Sequence, residues 1–134
     1  MGEGVGNFKP GDEIAIVDNG CCNMPPWSLG QGVIVKGVGW RYYNIVFKPS
    51  SLIWNVCDGC VVSKADADAV DNKFPMTLPI ADLQSRRGSL EYMFRVLLND
   101  RLSAGSRRYL RRVVRLHYQN SDDGLSVTFK RIDE

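Results

Sequence analysis

Several things are scarce or missing in this chain. No apolar run approaches the roughly 18 residues needed to cross a bilayer, so no membrane-spanning helix is expected. The opening MGEGVGNFKPGDE lacks the basic n-region and apolar h-region of a secretory signal, and no hydroxyl residue stands where MGxxx[ST] myristoylation needs one. A cytoplasmic protein is the resulting expectation. There is no GxxxxGK[ST] phosphate loop and no GxGxxG fingerprint, and the glycines from Gly2 to Gly6 follow no strand, so no nucleotide cofactor is implied. Asp66, Asp68 and Asp71 lack the glycine and terminal glutamate of a calcium loop and are expected to be a solvated acidic stretch. Only one histidine is present, His117, and no flanking pattern marks a nucleophile elbow around any cysteine, so the chain is read as non-enzymatic.

Acidic residues are absent between Asp100 and Asp122, the segment that holds SRRYLRRVVRLHY from Ser106 to Tyr118. At about 3.6 residues per turn, Arg108, Arg111, Arg112 and Arg115 share one face of a helix, while Leu110, Val113, Val114 and His117 share another. With no carboxylate at helical spacing to neutralise it, the arginine stripe is expected to face water. Charge is divided unevenly along the chain. Residues 1–80 carry six bases against eight acids, a net of −2, and residues 81–134 carry eleven against seven, a net of +4. Arginine dominates the basic part, and its planar fork of donors suits phosphates and carboxylates. Arg107, Arg108, Arg111, Arg112 and Arg115 are therefore the candidate contacts to a polyanion, with nucleic-acid phosphates the first choice. Trp27, Trp40 and Tyr42 are the candidate stacking side chains.

Length and composition suit one α+β domain: 134 residues, 44% hydrophobic and 24% charged. Residues 8–62 read as β-structure. EIAIVDNG, QGVIVKGVGW, RYYNIVFK and SLIWNV are successive strands; in the third, Tyr43, Ile45 and Phe47 share the apolar face. CCNMPPWSLGQ, with two prolines, is a long loop of the kind that carries specificity. Residues 63–80 are expected to be a linker. Ser89 is a candidate N-cap for LEYMFRVLLNDRL, whose Leu90, Met93, Phe94, Leu97 and Leu98 line one face, and the arginine helix capped by Ser106 is expected to fold back on it as a hairpin. LSVTFKRI alternates and is expected to add a last strand to the first sheet.

The opening GDEIAIVDNG, then GVIVKG, an aromatic strand and a final WNV strand, resembles SH3-like barrels of the KOW type over residues 8–62. The resemblance implies a scaffold that binds RNA, DNA or peptides without catalysis. The chain is thus divided into a barrel at 1–62, a linker at 63–80 and a helical hairpin with a C-terminal strand at 81–134. A second functional reading is a small protein-interaction module or inhibitor, of the kind phages and mobile elements encode, that masks a nucleic-acid-binding or acidic surface on a larger host enzyme.

Cys57 and Cys60 form a CDGC spacing, and Cys21 and Cys22 lie in the long loop. A zinc ion would draw on these four. Successive side chains of an extended segment diverge, however, so Cys21 and Cys22 are not expected to reach one metal together. Free thiols are the expected state in a reducing compartment, and no cofactor is assigned.

Overall fold

The computed structural model describes residues 8–18, 20–47, 51–84 and 88–132. Alternating apolar residues build β1 (Glu13–Ile16), β2 (Gly32–Val38), β3 (Tyr42–Phe47) and β4 (Ile53–Cys57), followed by a short β5 (Val61–Ser63). They form one antiparallel sheet in the order β4-β3-β2-β1-β5. Among the described residues no ladder joins β4 to β5, so the sheet is not a closed barrel. Tyr43, Ile45 and Phe47 all face the core, as their period of two requires.

The expected linker is folded. Ser63 caps α1 (Lys64–Asp71), its side chain accepting from the Asp66 N–H at 3.0 Å, and β6 (Met76–Pro79) follows. Next come α2 (Ile80–Gln84), α3 (Leu90–Asn99) and α4 (Ala104–Arg112). Residues 85–87, between α2 and α3, lie outside the described residues. Ser89 caps α3 as expected, accepting from the Tyr92 N–H at 3.1 Å. The last two strands are β7 (Leu116–Asn120) and β8 (Ser126–Arg131). β8 does not return to the first sheet; it is the centre of a second one, in the order β6-β8-β7.

Two cores lie on opposite sides of β1. Ile14 and Ile16 point into the first, with Val33, Val35, Tyr43, Ile45, Phe47 and Val56. Ala15 and Val17 point into the second, with Val62, Phe94, Leu110, Val127 and Phe129. A strand covered on both faces needs an unbroken apolar run, which is why EIAIV alternates so little. Phe94 and Phe129 stack at 4.0 Å with 11° between their planes, joining α3 to the second sheet.

α4 packs chiefly against α1 and β5, and the expected hairpin with α3 is not the main contact. Gly105 faces Asp66 so closely that a Cβ there would overlap the carboxylate. The arginine helix is also shorter than its periodicity implies. It starts at a Ser103 cap, whose side chain accepts from the Ser106 N–H at 3.1 Å, and it ends at Arg112. The Arg95 fork terminates it, donating to the carbonyls of Leu110 and Val114 at 2.9 Å each, where cationic groups are favoured by the helix dipole. Arg115 therefore lies beyond the helix, and His117 sits exposed on β7 opposite Lys130.

Candidate functional site

Two chain segments meet at one end of the first sheet. The first, Gly20 to Asn23, is a turn between β1 and β2. The second is the single helical turn Asp58–Cys60 between β4 and β5. All four cysteine sulfurs lie within 4.8 Å of one another. Cys57 and Cys60 are 3.3 Å apart, Cys21 and Cys57 3.7 Å, and Cys22 and Cys60 3.7 Å. The expectation that Cys21 and Cys22 diverge is overturned, because their segment turns instead of extending; Asn23 takes a left-handed φ of 54° at its end.

The sulfurs are held by backbone. The Cys57 N–H donates to Cys22 Sγ at 3.2 Å, and the N–H groups of Val17 and Asp18 both donate to the Cys60 carbonyl, at 2.8 and 3.3 Å. Burial, then the thiols of Cys57 and Cys22, push Cys60 well above the ordinary thiol range. Burial also raises Cys22, partly offset by the Cys57 N–H. Burial opposes ionisation of Cys57 too, but hydrogen bonds from Cys60, Cys22, Cys21 and the Gly59 backbone outweigh it and hold that thiol below its usual value. Of Cys22, Cys57 and Cys60, Cys57 is accordingly the one that carries charge most readily.

The predicted arginines are split by role. Arg108 is half-buried and donates to the Gly59 carbonyl within CDGC and to the Val61 carbonyl at 3.4 Å. Arg112 pairs with Asp18 at 2.8 Å, and Asp18 in turn accepts from the Gly20 N–H at 2.9 Å, just before the cysteine pair. Arg107 donates through Nε to the Asn99 carbonyl at 2.9 Å and so braces α4 against the end of α3. Arg111 and Arg115 are exposed. The stripe is thus partly a clamp on the cysteine-bearing segments, and among the described residues Arg112 is the one member matched to a carboxylate.

The three predicted aromatics are all exposed. Trp27 packs its ring edge-on against Phe47 at 4.9 Å. Trp40 is 65% exposed and Tyr42 55%, on the tight turn between β2 and β3. Arg41, between them, was not among the sequence candidates. Its φ is 64°, a left-handed conformation unusual for arginine, and its guanidinium lies 5.5 Å over the Trp40 ring. This turn adjoins the cysteine cluster, because the Asp58 N–H donates to the Arg41 carbonyl at 3.0 Å. The buried Tyr43 fixes the same corner, donating to Asp58 Oδ1 at 2.6 Å. Asn44 and Asn55 are exposed register partners beside Tyr42 on the outer face. A cysteine cluster, an exposed aromatic-cation pair and two arginines therefore share one end of the molecule.

No protein-family profile, curated protein or solved structure matches this chain. Among the described residues, no helix is long and apolar enough to cross a membrane.

Proposed function

We propose that this protein is a non-enzymatic, SH3-like binding domain that engages single-stranded nucleic acid at the end of the first sheet where Trp40, Arg41 and Tyr42 are displayed. The observation that carries the reading is Arg41 itself. A left-handed conformation costs an ordinary residue about 1–2 kcal/mol, and surface turns usually avoid this with glycine or asparagine. Here the strained residue is an arginine stacked on an exposed tryptophan and followed in the chain by an exposed tyrosine. Aromatic rings stack on bases without regard to sequence, and the guanidinium supplies a phosphate contact or a cation-π partner. Asn44 and Asn55 add amides that can meet base edges, and Arg111 and Arg115 add exposed positive charge. The meander of β1–β4 with β5 beside β1 supports the SH3-like reading of the scaffold.

The test is fluorescence anisotropy with labelled single-stranded and duplex oligonucleotides at low and moderate salt. Binding is expected to prefer single strands and to weaken as salt rises. Changing Trp40 to Ala should raise Kd about 5- to 150-fold, the loss of one base stack. Changing Arg111 and Arg115 to Ala should weaken all sequences alike and flatten the salt dependence. Absence of binding by the wild-type chain at low salt overturns the reading and leaves the protein-interaction module as the working alternative.

A further inference from the structure

We propose that Cys21, Cys22, Cys57 and Cys60 bind one zinc ion in a closed, four-thiolate structural site. Zinc–sulfur bonds of about 2.3 Å place the sulfurs of a tetrahedral site about 3.8 Å apart. The measured pairs at 3.3, 3.7 and 3.7 Å, with every pair inside 4.8 Å, surround a space of that size. Two disulfides are a poorer fit. Each would draw one pair to about 2.0 Å and release the others, whereas these four sulfurs all lie within 4.8 Å of one another.

The donor set favours zinc over other ions. Thiolates select soft metals, a tetrahedral four-sulfur site takes zinc or iron, and zinc binds such ligands more tightly than ferrous iron. Cys21 is exposed, so one edge of the site meets solvent, which suits an ion without redox chemistry. Four thiolates around a divalent cation leave a net charge of −2, which the surroundings are built to offset. The Cys57 N–H already points at Cys22 Sγ, and the Arg108 guanidinium is anchored on the carbonyl of Gly59. With all four positions taken by protein, the ion leaves no open place for substrate, so the site is structural. It joins the β1–β2 loop to the β4–β5 turn, neither of which has a ladder of its own.

The experiment uses the full chain purified under reducing conditions without added metal. Elemental analysis is expected to find close to one zinc per chain, and titration of the thiols with a mercurial should release it stoichiometrically. Cobalt exchanged into the protein should show the intense visible bands of a tetrahedral thiolate site. Cys57→Ser is expected to lose most of the zinc. Should that variant fail to fold, the wild-type zinc content and the cobalt spectrum still decide. Freely reactive thiols with no bound metal, or iron in place of zinc, would overturn the assignment. None of these readouts depends on nucleic acid, so the metal site and the proposed binding function fail separately.

Discussion

Arg112 and Asp18 lie 94 residues apart in the chain and form an ion pair of 2.8 Å across the junction between α4 and the β1–β2 loop. Both side chains are partly exposed, so the pair is screened, and its direct worth is about 0.2–1 kcal/mol. Its position is more consequential than its energy, because Asp18 also accepts from the Gly20 N–H and shapes the approach to Cys21. In a double-mutant cycle, Arg112→Ala and Asp18→Asn are expected to show a small coupling in urea denaturation. Either change alone should also speed reaction of Cys21 with a thiol reagent. Unchanged thiol reactivity in both variants would show that the pair does not shape the loop.

Arg108 acts on the other cysteine segment. Replacing it with Ala removes the donor to Gly59, and transfer of metal from the zinc-loaded protein to a chelator is expected to accelerate several-fold. Arg108→Lys should restore little, since a single ammonium cannot reproduce a fork reaching Gly59 and Val61. Stopped-flow measurement with a colorimetric chelator reads both rates.

Tyr109, Asp71 and Arg131 form a partly buried network joining α4, α1 and β8. Arg131 pairs with Asp71, and the Tyr109 hydroxyl donates to the same carboxylate at 3.1 Å. Burial raises the Tyr109 pKa above its ordinary value; the Arg131 hydrogen bond opposes this, and the Asp71 charge adds to it. The folded state therefore keeps its proton after the unfolded chain has lost it. Stability from this residue is complete below the unfolded value near 10 and falls as pH rises through the folded one. Urea midpoints measured from about pH 8 to about pH 11 should decline, and Tyr109→Phe should decline less steeply.

Phe94 is 1% exposed and stacked on Phe129, so truncation leaves a cavity that neither α3 nor the second sheet can close. Phe94→Ala is expected to cost about 3–5 kcal/mol. Phe94→Leu should cost visibly less. Chemical denaturation followed by far-UV circular dichroism measures both, and equal losses would show that the aromatic stack, not the filled volume, carries the contribution.

The first four strands were legible because alternation and turn residues mark them, and α3 because its cap and apolar face agree. α1 was hidden by its composition. KADADAVD looks like an acidic linker, yet Ser63 followed by Asp66 is the start signal of a helix, and Ala67 and Val70 supply a narrow buried face. The end of α4 was hidden for the opposite reason. The helical period runs on through Arg115 and His117 in the sequence, but Arg95, from another element, takes the terminal carbonyls and the chain leaves as a strand. Arg41 carries no local signal beyond its aromatic neighbours, since only the backbone reveals its strain. The grouping of Cys21 with Cys22 depends on a turn whose shape is set by contacts more than thirty residues away.

The hydrogen of Gly105 that faces Asp66 lets the start of the arginine helix close on α1. A methyl group at that position would have to displace the Asp66 carboxylate, which accepts from the Ser103 hydroxyl at 2.9 Å. The helix that carries Arg108 and Arg112 is thereby tied at its first turn to a carboxylate that only a glycine lets in, so a change remote from every cysteine would register first as a frayed helix start.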